Sequence, residues 1–175
     1  MADIFCTTNM PDYIAQDCGI ERAGVVGVGL VDISEAPTQS NLEDAAYWTS
    51  ELAASPQTHF VIQNTRGEYN GGTPVEEEGF GEESTQITGA DHEMMFEVEG
   101  LADNRDFWEG ANRRKWFMAV VTNGGLLYWV PVPVTLYAKI ANPRSIKSGA
   151  FWQVSCKWQS YDNPYVYTAP TGIFS

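Results

Sequence analysis

Residues 116–130 read WFMAVVTNGGLLYWV, and this stretch decides the fold. Two apolar runs, 116–122 and 126–130, flank Asn123-Gly124-Gly125. Runs rich in Val, Phe, Tyr and Trp suit a pleated, buried surface. Asn-Gly between them supplies the positive φ that a tight turn demands, so the stretch predicts a β-hairpin.

Working outward, the same grammar recurs. Residues 134–140 follow Pro131 and Pro133 and read as a further strand. Residues 150–158 read as the last one, with Trp152, Val154, Cys156 and Trp158 on a core face. In 92–99, Met94, Phe96 and Val98 alternate with Glu93, Met95, Glu97 and Glu99, the pattern of a half-buried antiparallel strand. Residues 84–88 and 59–65 add two more. Residues 24–33, GVVGVGLVDI, set Gly24, Val26, Val28 and Leu30 on one face and Val25, Gly27, Gly29 and Val31 on the other. Glycine on one strand face marks close approach of a backbone or a large aromatic ring. The G-x-G within this run lies inside a strand with no third glycine or lysine after it, so it is no phosphate loop.

Two helices are expected. Residues 40–54 open with Ser40 and Glu43 at capping-box spacing, and Trp48 anchors an apolar stripe with Leu42, Ala45, Ala46 and Leu52. Residues 103–114 form a shorter helix, with Asp103 as N-cap and Arg113-Arg114-Lys115 at the negative end of its dipole. Some eight short strands with one or two flanking helices define a mainly β protein, an antiparallel sandwich or barrel. Residues 1–175 form one domain, with an N-terminal arm (1–20), a long acidic loop (68–82) and an aromatic C-terminal arm (161–175).

Charge is unevenly distributed. The chain carries 23 acidic and 10 basic side chains, a net −13. Residues 1–100 hold 19 acidic and 2 basic residues; residues 101–175 hold 4 acidic and 8 basic. The overall balance excludes a general nucleic-acid binder, because phosphate contacts need Lys and Arg. The split reads first as acidic loops that keep the chain soluble; the alternative is an acidic and a basic face for head-to-tail association. No apolar run approaches a membrane span, and the start MADIFCTTNMPDY lacks the basic and apolar regions of a secretory signal.

Catalytic patterns are weak. Cys6, Cys18, Cys156, His59 and His92 could supply four zinc ligands only by distant convergence, since no C-x-x-C, H-E-x-x-H or H-x-E spacing occurs. Reduced thiols used as small hydrophobes are the expectation. Glu76, Glu77, Glu78, Glu82 and Glu83 cluster in a glycine-rich stretch that neither fixes a carboxylate pair at glycosidase separation nor follows calcium-loop spacing. There is no G-x-S-x-G nucleophile elbow. The chain therefore reads as a non-enzyme without cofactor or metal. Arg66, isolated among acids, is expected to pair with a carboxylate. The aromatic residues (Trp108, Trp116, Trp129, Trp152 and Trp158, with Tyr161, Tyr165 and Tyr167) read first as core. Exposed tryptophans stacking on host-surface glycans form the alternative.

The layout resembles small virion tail or connector proteins of phages infecting Bacteroidetes, including the crAss-like group. The features that carry it are Asp17-Cys18-Gly19 before the glycine-rich strand, the Trp48 helix and Thr65-Arg66-Gly67. After them come Gly79-Phe80-Gly81, the His92 strand, Asn104 with Phe107, and a closing strand ending at Trp158. The resemblance implies a tail-tube-like virion protein, made in the host cytoplasm, that forms six- or twelvefold rings of itself around the DNA path. Adjacent tail or connector proteins are its other partners. DNA passes without specific binding, and no membrane or small-molecule substrate is involved. The subunit contacts expected on this view are Arg66, Glu76, Glu77, Glu78, Arg113, Arg114, Lys115, Tyr165 and Tyr167.

Overall fold

The structure, a computed structural model, describes residues 24–79, 85–144 and 149–174. The arm expected at 1–20 lies outside these residues. In chain order the elements are β1 (Val25–Asp32), α1 (Gln39–Glu43), α2 (Ala45–Leu52), β2 (His59–Glu78), β3 (Thr85–Val98), α3 (Arg105–Ala111), β4 (Lys115–Thr122), β5 (Leu126–Ala141), β6 (Phe151–Ser160) and β7 (Tyr165–Thr168). The fold is mainly β and antiparallel throughout. One sheet runs β4-β1-β2-β3-β6-β5-β7, and a further β4–β5 pairing curls it back on itself.

β5 makes that closure possible. Its first half pairs with β4 up to Thr135, and its second half pairs with β6 from Thr135 onward. The register against β4 shifts between Trp116 and Met118, opposite Pro131-Val132-Pro133. Prolines cannot donate to a ladder, so they are tolerated at such a bulge. The two expected strands at 126–130 and 134–140 are therefore one bent strand. The free edge beyond the bend is capped by a side chain: Asn112 Nδ2 donates to Ala138 O at 3.0 Å, and Ala138 N donates to Asn112 Oδ1 at 2.7 Å.

Both faces of the β4–β5 hairpin are buried, which explains its unbroken apolar sequence. Met118 and Val120 point into the curled sheet with Val28, Leu30, Met94, Phe96, Leu136, Val154 and Cys156, and α3 closes this core with Trp108 and Ala111. Ala119 and Val121 point outward into a second core with Val31, Leu127 and Trp129, covered by Leu42, Trp48 and Phe174. In the turn, Gly125 alone takes positive φ, at 80°. Gly27 and Gly29 are closely covered, and of the two covers their placement on one strand face allows, backbone or aromatic ring, it is aromatic residues that lie there. A Cβ on either would come within 2.9 Å of Phe174 or Trp48 respectively. A bulge at Val25/Gly27 moves Val25 onto the inner face with Val28 and Leu30, correcting its expected partition.

Several boundaries differ from expectation. The helix expected at 40–54 breaks at Asp44, whose extended backbone ends α1 and whose carboxylate accepts from Ala46 N to cap α2. The Ser40/Glu43 capping box does not form; Glu43 Oε1 instead accepts from Thr168 N on β7. Asn104, not Asp103, holds the N-cap position of α3, without a side-chain cap bond, and the helix ends at Ala111, so Arg113, Arg114 and Lys115 fall outside its last turn. The strands expected at 84–88 and 92–99 are one over the described residues, as are those at 126–130 and 134–140, and β7 is added, so the described residues hold seven strands and three helices in place of about eight and two. The expected loop at 68–82 is strand through Glu78; residues 80–82 lie outside the described residues. Nor is 161–175 a free arm, since β7 pairs with β5 and Phe174 is buried.

Candidate functional site

The outer end of the β2–β3 hairpin is the feature that the core does not require. β2 leaves β1 after Gly67, past a bend where Asn64 takes a φ of 55°. From there it pairs only with β3, whose own pairing with β6 stops at Ala90, opposite Pro74. Residues 75–78 and 85–89 thus form a two-stranded ribbon with no third strand on either edge among the described residues. At the usual rise its free β2 limb extends roughly 13 Å. An isolated two-stranded hairpin is marginally stable in water at best.

The ribbon's root is firmly held. His92 is buried at its base, its ring stacked on Trp158 at 5.1 Å and 4°. Its Nε2 lies 3.2 Å from Ser160 O, a carbonyl that can only accept, so Nε2 carries the proton. Nδ1 is then the acceptor for the Tyr69 hydroxyl at 2.7 Å. Beside this stack lies an open cleft of about 600 Å³, lined in part by Glu68, Asp91, Glu93 and Lys157. The other histidine, His59, is fully buried near α2. It meets the Tyr47 hydroxyl at 3.0 Å, and burial pulls its pKa below the ordinary value against the opposing pull of Glu51 and Glu35. Among the described residues no three His, Cys, Asp or Glu side chains come together as a metal site.

The residues expected at contacts fall into separate places. Glu76, Glu77 and Glu78 are exposed on the ribbon, opposite Ile87, Gln86 and Thr85. Arg66 is exposed on β2 across from Glu97, yet it forms no ion pair among the described residues, so its expected carboxylate partner is absent there. Arg113 and Arg114 follow α3. Arg114 lies 3.9 Å from Asp32, a weak pair whose acid is held below the usual range chiefly by the Ser34 backbone N–H. Lys115 begins β4 and donates to the Thr135 hydroxyl. Tyr165 and Tyr167 sit on β7 with rings stacked at 6.1 Å; Tyr165 is exposed, and Tyr167 packs on the second core.

Sequence reasoning missed the company that Lys115 keeps. Thr135 pairs with both Lys115 and Lys157, Tyr137 faces Ser155, and Lys139 faces Gln153. These side chains share the outward face of β4, β5 and β6. The alternation of Leu136 and Ala138 inward with Thr135, Tyr137 and Lys139 outward is legible in the sequence once the strand is seen to continue past its prolines.

The alternative of exposed tryptophan platforms is overturned. All six tryptophans are buried, none more than 6% exposed. They are the largest apolar side chains available to a small curled sheet with two cores, and burial is where their area stabilises most. Among the described residues no helix is long and apolar enough to cross a membrane. Comparisons with protein-family models, with curated proteins and with solved structures find no match for this chain.

Proposed function

We propose that this chain is a non-enzymatic structural subunit of a phage virion. Copies of it assemble into rings, six- or twelvefold, of the tail tube or the head–tail connector, around the DNA path. The observation that carries the self-assembly is the β2–β3 ribbon, whose edges at 75–78 and 85–89 pair with no further strand among the described residues. Exposed strand edges are sites of association unless they are shielded. A ribbon too narrow to be stable alone gains most from burial against a neighbour. The virion setting rests on the resemblance of the layout to tail and connector proteins. A net charge of −13 suits a wall past which DNA slides without sticking.

The test is the mass of the purified protein by light scattering across concentration and salt, with negative-stain imaging of the same samples. Closed rings or stacked rings are the expected outcome, and their mass gives the symmetry. A chain that stays monomeric at the highest concentration in both low and high salt overturns the reading.

A further inference from the structure

We propose that the outward face of β4, β5 and β6 around Tyr137 receives the acidic ribbon tip of a second copy of this chain. The proposal rests on the self-assembly reading and names the partner surface that reading lacks.

Three observations carry it. First, no element among the described residues covers this face. Before the Pro131–Pro133 bulge, outward residues of β5 such as Leu127 and Trp129 lie beneath the helices and Phe174. Beyond it, Thr135, Tyr137 and Lys139 face solvent, with Tyr137 60% exposed. Second, the face is cationic with an aromatic centre. Lys115 and Lys157 flank Thr135 in register, Lys139 lies on the same side of the same strand, and Arg113 and Arg114 adjoin Lys115 in the chain. Lys157 is partnered by Glu93 at 3.4 Å and Arg114 weakly by Asp32. Lys115, Lys139 and Arg113 form no ion pair among the described residues. Third, the ribbon tip offers the complement: Glu76, Glu77 and Glu78 are consecutive and exposed, and none forms an ion pair among the described residues.

Opposite charges on two different patches of one chain define a heterologous contact, which propagates head to tail and closes into a ring or runs on as a filament. Complementary potentials steer such an encounter and fix its register. Tyr137 at the centre supplies an apolar anchor that the surrounding lysines alone would lack.

Charge reversal tests the pairing. One variant carries Glu76→Lys, Glu77→Lys and Glu78→Lys; a second carries Lys115→Glu and Lys139→Glu; a third combines all five. Assembly is read by light scattering at low salt, where unscreened charge acts furthest, and folding by urea unfolding of each variant. Each separate reversal is expected to weaken assembly by roughly tenfold or more, and the combined variant to restore it. Wild-type protein that assembles while both reversals assemble equally well overturns this contact and leaves self-assembly standing. Wild-type protein that never assembles overturns both. Should a reversal impair folding, the neutral variants Glu76→Gln/Glu77→Gln/Glu78→Gln and Tyr137→Ser take its place, each expected to weaken assembly without changing the unfolding midpoint. Unchanged assembly in both overturns the proposal.

Discussion

A Cβ on Gly29 would lie 2.9 Å from the Trp48 ring and 3.2 Å from that of Phe174. Neither ring can yield easily. Trp48 is fully buried, with its Nε1 donating to Leu42 O at 3.0 Å, and Phe174 packs edge-on against it at 5.1 Å. Overpacking of this kind costs about 1–3 kcal/mol, so Gly29→Ala should lower the unfolding free energy by that amount, read as a lower urea midpoint at an unchanged slope. His59 makes a different residue-scale prediction. Burial holds its pKa below the ordinary 6.5, so the folded state binds its proton less readily than the unfolded state. The stability it contributes is full above that ordinary value and falls as pH drops toward and through the lowered folded value. Unfolding free energies at about pH 7.5 and about pH 5.5 should therefore differ more in the wild type than in His59→Gln. An equal difference in the two proteins would show that His59 is not the titrating group.

At the scale of elements, the ribbon departs furthest from its sequence pattern. Residues 68–78 show neither helical nor strand period, because beyond Tyr69 and Gly72, which pack at the root, the strand has no buried face to alternate. Backbone pairing with β3 makes it a strand all the same. Backbone pairing without burial opens readily, so amide exchange should be fast at 75–78 and 85–89 and slow in residues 94–98 of the same hairpin. Exchange mapped by mass spectrometry checks this, and assembly should slow exchange at the tip specifically. The split of the expected helix at Asp44 has a local cause: its carboxylate satisfies the Ala46 N–H and so favours a fresh start over continuation. β5 has the opposite character, since Pro131 and Pro133 punctuate the sequence without ending the strand. Their missing donors fall at a bulge, where no ladder bond is demanded.

At the scale of the whole molecule, the charge split becomes a spatial one. The carboxylates of the N-terminal half include Glu76, Glu77 and Glu78 on the ribbon, and Lys115, Lys139 and Lys157 of the C-terminal half lie on one sheet face. Head-to-tail assembly through those faces should loosen as salt rises, which gives the light-scattering series a sign as well as a mass. Residue type and period by themselves determined the antiparallel β class, the 116–130 hairpin and the core faces of residues 94–98 and 152–158, beside the charge division that composition displays. Those properties depend on neighbours two to four residues apart, which a sequence displays directly. Tertiary structure alone decided that β5 turns from β4 to β6 and curls the sheet, that every tryptophan is enclosed, that residues 68–78 pair as a ribbon, and that Lys115, Tyr137, Lys139 and Lys157 share one face. Each of these depends on pairings between residues far apart in the chain. Strand register and burial are set there by which partner arrives, not by the local pattern.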